Sequence, residues 1–334
     1  YVDAWAERAR QNNGILPSNV GLGGVIGSAA GGKWYGGTYG WGFTVEVPQT
    51  GAMAHRVTTH LGAQGFFNAF LLTGDDKYLD VWRRQIDAIN ANAKQIEGKT
   101  QYPHMFGDEG WYAFSPSKDD QGAVELWYCT LAAEDRARMK PMSWADYLEG
   151  KRPNYPEAAL QADLERIRKQ VQTIRADKST PDTRLADDSM RSNPCSITSL
   201  VHLMQGGLPT GRNGLVMHSR LRYFDPERRR AGIPEDVAAL VERMTPDETV
   251  VTLVNVSPIS SRTVIVQGGA YGEHEIESVT SAGATSAVAA SRVAVQLAPG
   301  CGGRLTLKMR RYANRPNVGG FVTSLQTKDA PADK

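Results

Sequence analysis

Apolar residues recur every three or four positions through the first two-thirds of the chain and every second position after about residue 215. This predicts helices first and strands afterwards. Leu79, Trp82, Ile86 and Ile89 mark one face of a helix over 76–95, and Gly74-Asp75-Asp76 supplies a stop for the helix before it and an N-cap for this one. The other member of this αα-hairpin is 53–73, where Phe66, Phe67, Phe70 and Leu71 fill a core and Gly62, Ala63 and Gly65 let a neighbouring helix approach. Val124, Trp127, Tyr128 and Leu131 mark another helix, and Leu160, Leu164, Ile167, Val171 and Ile174 the next, opened by Pro156 in its first turn. Ile197, Leu200, Val201 and Met204 mark a shorter one that ends at Gly206-Gly207. With the opening segment Val2–Gln11 the pattern predicts about six helices.

Beyond residue 215, Val293, Val295 and Leu297 alternate with polar or small residues, as do Leu305, Leu307 and Met309 after the turn Pro299-Gly300-Cys301-Gly302-Gly303. That reads as an antiparallel hairpin with one buried face. Val216–Phe224, Val250–Val256, Thr263–Gln267 and Glu275–Val279 add strands, and a β-sandwich is the economical account. One amphipathic helix is predicted to interrupt it, opened by Pro234 and carrying Val237, Leu240, Val241 and Met244. The domains predicted are 1–214 (helical), 215–322 (sandwich) and 323–334, a polar tail expected to fray.

Composition narrows the function classes. The chain has 334 residues, 41% hydrophobic and 22% charged, with a formal net charge of +2. No basic surface of the kind nucleic acid needs is expected, and Arg228-Arg229-Arg230 reads as a solvated helix approach. No stretch has the apolar length to cross a bilayer, so no membrane partner is expected, and residues 1–15 lack the order of a signal peptide. Cys129, Cys195 and Cys301 have no C-x-x-C spacing and read as three buried thiols, with one bridge plus one free thiol as the alternative.

Candidate chemistry lies in the first half, since all seven Trp precede residue 145. Lys33–Gly42 sets Trp34, Tyr35, Tyr39 and Trp41 among glycines, which suits a loop whose aromatic faces stack on sugar rings. A second aromatic loop, Tyr102–Phe114, carries His104, Asp108, Glu109, Trp111 and Tyr112. No His pair stands at ligand spacing, and Asp119-Asp120 and Asp187-Asp188 lack the glycine and distal Glu of a calcium loop, so no metal is expected. Gly21–Gly27 does not join a strand to a helix, which removes a nucleotide cofactor.

Helical hairpins with long aromatic loops followed by an antiparallel β-sandwich resemble the (α/α) toroid carbohydrate-active enzymes, both glycoside hydrolases and heparinase-type or alginate-type polysaccharide lyases. The resemblance implies an α+β multidomain protein, secreted or periplasmic, acting on a polysaccharide or oligosaccharide at loops at one end of the helical barrel. A complete toroid of this kind carries roughly twice the helices found here. The expectation is therefore an incomplete toroid, finished by an N-terminal helical portion outside this chain or by another subunit, as in a homo-oligomer.

Hydrolysis, the first expectation, needs a carboxylic acid to protonate the leaving oxygen and a second carboxylate. Asp108 or Glu109 can supply one, with Asp187, Asp188 or Glu46 as partner, and surrounding rings would raise the pKa of a buried acid. Elimination on a uronic-acid polymer needs a Tyr or His base and a cation or amide on the carboxylate; Tyr39, Tyr112, His104, His55, Arg56 and Asn193 suit these roles. His55 and Arg56 are expected to open the 53–73 helix, His60 to be structural, and Arg184, in a polar loop over 180–188, to hold a carboxylate or sugar hydroxyl. A non-catalytic glycan-binding module is the third alternative.

Overall fold

A computed structural model of the chain describes residues 1–48, 50–57, 62–180, 182–183, 193–209 and 216–317. The fold is α+β with antiparallel sheets. It divides into two compact units, Tyr1–Lys140 and Pro141–Lys334.

The first unit runs α1 (Val2–Gln11), β1 (Thr44–Glu46), β2 (Met53–His55), α2 (Gly62–Thr73) and α3 (Lys77–Asn90). Two small hairpins follow, β3 (Lys94–Ile96) with β4 (Lys99–Gln101) and β5 (Met105–Gly107) with β6 (Gly110–Tyr112), then α4 (Ala123–Thr130) and α5 (Ala133–Arg136). Leu79, Trp82, Ile86 and Ile89 are buried, as the spacing on α3 predicts. His55 and Arg56 do not open a helix. Met53–His55 instead pairs with Thr44–Glu46, because the turn between them closes on itself through Val47 N–H to Ala52 O and Gly51 N–H to Val47 O, with Gly51 at φ +68°. Turn chemistry outweighs the apolar spacing here.

The aromatic loop lies on a small core of Ile15, Trp41 and Ile89, against which Trp34, Tyr35, Phe106 and Trp111 pack. Its glycines are needed for approach. A Cβ at Gly40 would stand 2.1 Å from Gly36 O, and one at Gly42 would stand 2.9 Å from Phe106 O.

The second unit opens with α6 (Ser143–Leu148), α7 (Tyr155–Ala176) and α8 (Thr198–Leu200), the last running into a π-helical turn, Val201–Gln205. α7 carries Pro156 in its first turn as predicted, yet none of its residues is buried. The strands are β7 (Leu221–Asp225), β8 (Arg230–Ala231), β9 (Val237–Met244), β10 (Glu248–Asn255), β11 (Arg262–Gly268), β12 (Glu275–Ser281), β13 (Ala284–Ala290), β14 (Arg292–Leu297) and β15 (Gly302–Arg310). They form a five-stranded sheet, β13-β12-β15-β10-β9, and a four-stranded sheet, β14-β11-β7-β8. Tyr147 of α6 donates to Val241 O of β9 and Tyr223 of β7 to Met204 O of the π turn, so helices that precede residue 214 share a unit with the strands.

Four expectations are corrected, and the one on the cysteines reaches into the first unit. The amphipathic helix expected after Pro234 is β9. Val251 pairs with Val241 while Val250 pairs with Arg243, leaving Glu242 as a bulge. That extra residue shifts the strand's phase, so Val237, Val241 and Met244 all face inward at a spacing that imitates a helix. The expected hairpin of β14 with β15 is also absent: β14 pairs with β11, whereas β15 pairs with β10 and β12. Asn255 anchors the crossing, its amide donating to Leu297 O and Ala298 O and its backbone N–H to Cys301 O. Of the cysteines only Cys129 is buried; Cys195 and Cys301 are exposed, and all three are free thiols. The Arg228–Arg230 run sits at the β7–β8 turn rather than beside a helix.

One buried acid gives the second unit a pH dependence. Glu273 accepts the backbone N–H groups of Ala270 and Tyr271, but burial pushes its carboxyl up to about 7. An unfolded glutamate titrates near about 4.3. Between these values the folded chain holds a proton that the unfolded chain has released, so stability falls as pH rises through this window. Glu273→Gln removes the titration and keeps one of the two acceptor oxygens. Denaturant midpoints measured across the window are expected to fall with pH in the unmodified chain relative to the variant; parallel pH profiles would refute the assignment.

Candidate functional site

The hairpin β5–β6 pairs Gly107 with Gly110, which leaves Asp108 and Glu109 at its tip. The aromatic loop reaches that tip. Lys33 Nζ lies 2.7 Å from Asp108 Oδ1, and the Tyr35 hydroxyl donates to the same oxygen at 2.9 Å. With Glu109, Thr44 and Tyr112 these groups line an open cleft of about 820 Å³. Hydrogen bonds from Lys33 and then Tyr35 hold the Asp108 carboxyl below its ordinary range, and the same pairing raises the Lys33 ammonium. Asp108 is exposed and ionised rather than buried and protonated, which corrects the expectation of a raised acid at this position.

Thr44 and Tyr112, which line the cleft, form a hydrogen-bonded chain with His55, which does not. The β1–β2 register sets Thr44 directly across from His55. Thr44 Oγ1 lies 2.9 Å from His55 Nδ1 and 2.7 Å from the Tyr112 hydroxyl, whose single proton can go either to Gly42 O at 3.1 Å or to Thr44. The imidazole and phenol rings meet edge to face at 5.8 Å. When His55 carries its proton on Nε2, Tyr112 can donate to Thr44 and Thr44 to His55, which makes a path for a proton out of the cleft.

The family described as Domain of unknown function (DUF8034) matches residues 1–105 and 140–201. The chain belongs to the DUF8034 family. No curated protein and no solved structure matches it. The DUF8034 match takes in Lys33, Tyr35, Thr44 and His55 but not the tip and second strand of the hairpin that supplies Asp108, Glu109 and Tyr112.

The remaining sequence candidates of this DUF8034 member fall into different places. Trp41 is fully buried, its Nε1–H donating to Leu16 O, so it has no face to offer a ligand. Trp34 packs on Phe106 at 4.6 Å between ring centres, and Trp111 packs edge-on to Trp41 at 5.7 Å; both form the layer beneath the loop. Tyr39 is 44% exposed but lines a separate cleft. His104 Nε2 bonds Ser115 Oγ and Ser117 O, and burial holds its pKa low, which makes it a structural residue outside the cleft. Arg56 and Glu46 are exposed and line neither cleft, and Asn193 belongs to the second unit. His60, Arg184, Asp187, Asp188 and the tail from Thr323 lie outside the described residues.

Sequence reading passed over Lys33 and Thr44 as site residues, although Lys33 opens the aromatic loop. It also missed two carboxyls in the first unit that burial raises, Asp119 to about 7 and Glu125; neither lines the cleft. Among the described residues, no group of three or more His, Cys, Asp and Glu is placed to hold a metal ion, and no helix is long and apolar enough to cross a membrane.

Proposed function

We propose that this chain is a carbohydrate-active enzyme that cleaves a uronic-acid polysaccharide by β-elimination in the cleft of its first unit. The Tyr112–Thr44–His55 hydrogen-bonded chain, whose first two members line the cleft, carries this reading. Tyr112 passes its proton through Thr44 to His55 Nδ1 and takes the proton beside the substrate carboxylate. The C–H electron pair becomes the new double bond, the bond to the departing oxygen breaks, and Tyr112 returns the proton to that oxygen while His55 restores the phenol. Lys33 has donors to spare beyond Asp108 and can hold the substrate carboxylate, whose charge grows as the proton leaves.

Hydrolysis, favoured from sequence, loses support because Asp108 is held ionised and the raised carboxyls Asp119 and Glu125 lie outside the cleft. In this proposal the five- and four-stranded sheets form the β-sandwich of a toroid-type enzyme, the helices of the chain are part of its toroid, and the protein works in a secreted or periplasmic setting.

Alginate, pectate and hyaluronan, each incubated with the whole chain, provide the test. Elimination is expected to raise ultraviolet absorbance through the conjugated double bond on one of them, and Tyr112→Phe is expected to lower the rate about 100-fold with polymer affinity retained. New reducing ends without absorbance, or affinity without turnover, would overturn the proposal in favour of a hydrolase or a binding module.

A further inference from the structure

A second cleft in the first unit, of about 680 Å³, shares the Gly36-Gly37-Thr38 turn with the Lys33–Asp108 cleft, so one stretch of backbone forms a wall of both. The chemistry of the two differs. Among the described residues no acidic or basic side chain lines the second cleft; its walls carry the rings of Trp5 and Tyr39 and the amides of Asn19, Gln64 and Asn68. Gln64 and Asn68 stand four residues apart on α2 and so share one face, and their side chains make no hydrogen bond to other described residues. Tyr39 is held at φ +59°, a conformation a bulky residue seldom adopts, while its ring stays 44% exposed.

Gly65 lies on the same helix and lines the same cleft. Glycine is second only to proline as a poor residue for a helix interior, so it calls for a reason. Packing among the described residues supplies none: a Cβ at Gly65 meets no described residue within 4 Å, whereas one at Gly62 would stand 2.6 Å from Leu16. Nor is its φ positive. The effect of glycine at 65, among the described residues, is open volume beside two amides that bond none of them and an aromatic face. Amides that can both give and accept hydrogen bonds, next to flat apolar rings and without formal charge, match an uncharged ring bearing several hydroxyls.

We propose that the Trp5–Tyr39–Gln64–Asn68 cleft binds a neutral pyranose unit, next to the acidic unit held beyond the shared turn, so that the substrate is a mixed glycan carrying both kinds of sugar. The inference rests on the glycan reading of the first unit and adds the identity of a second sugar class to it.

The experiment titrates the whole chain and its variants with cello-, manno- and galacto-oligosaccharides and, separately, with uronate oligosaccharides, following binding by calorimetry. One of the neutral series is expected to bind. Gly65→Leu, which places a side chain in the open volume, is expected to weaken that binding at least 10-fold, and Gln64→Ala with Asn68→Ala by a similar factor, while Asp108→Asn leaves it unchanged. Gly65→Ala is the folding control, and its thermal midpoint is expected to equal or exceed that of the unmodified chain. Absence of binding by all three neutral series, or binding that Gly65→Leu leaves intact, overturns the inference. If uronate oligosaccharides bind, lose affinity on Lys33→Ala and ignore Gly65→Leu while no neutral series binds, this inference fails and the elimination proposal stands. If the neutral binding behaves as expected and no uronate polymer is turned over, the elimination proposal fails and the neutral site stands.

Discussion

Asp135→Ala is expected to destabilise the first unit by about 3–5 kcal/mol, the range typical of removing one partner from a buried ion pair. The Asp135 side chain is fully buried. Arg83 of α3 donates to it through Nε at 2.9 Å and a terminal nitrogen at 2.8 Å, a two-pronged grip, and Thr130 and Arg138 add bonds at 2.7 and 3.1 Å. Burial pushes the Asp135 carboxyl up, but the bonds from Arg83 and Thr130 outweigh it and hold the group below its ordinary range. The stabilisation is therefore complete above the unfolded value of about 3.9 and is lost as pH falls through the lowered one. Truncation leaves two guanidinium groups with less compensation: Arg83 keeps Asp80 and Arg138 keeps Asp87, both on partly exposed carboxylates. Denaturant midpoints at neutral pH measure the loss. A loss under about 1 kcal/mol would mean that the pair behaves as a surface salt bridge.

Trp41→Ala is expected to cost a comparable amount, about 3–5 kcal/mol, through the cavity left by a buried indole. The ring has no exposed surface, donates to Leu16 O at 3.0 Å and meets Trp34 and Trp111 edge to face at 6.1 and 5.7 Å. Tyr39→Ala, two positions away, removes an exposed ring and is expected to change stability by less than about 0.5 kcal/mol. Thermal unfolding of the two variants side by side checks the contrast; equal losses would refute the inside and outside assignments.

That contrast marks what could be read from the residues alone. Period and punctuation located α3 and most of the long strands, because one-sided burial leaves a repeating trace in the sequence; α7 shows the same spacing although none of its residues is buried. The trace misleads where geometry breaks the repeat. The Glu242 bulge gave β9 a helical spacing, and alternation in β14 and β15 reported a buried face without saying which sheet each strand joins. For the site, the clustering of rings near an acidic hairpin is visible in sequence, and the Lys33–Asp108 contact brings the two segments together. Which ring faces outward is not visible, because Trp41 and Tyr39 have the same glycine-rich neighbours. Gln64 and Asn68 were passed over since amides on a helix look like an ordinary solvated face until the neighbouring Gly65 is seen to leave space.

The place of β15 governs the order in which the second unit can assemble. It lies between β12 and β10 and joins them, yet it is the latest of the described strands in chain order. During synthesis the ribosome therefore releases both halves of the five-stranded sheet before the piece that unites them, and each waits with an uncompleted edge. The first unit, Tyr1–Lys140, precedes all of these strands in the chain.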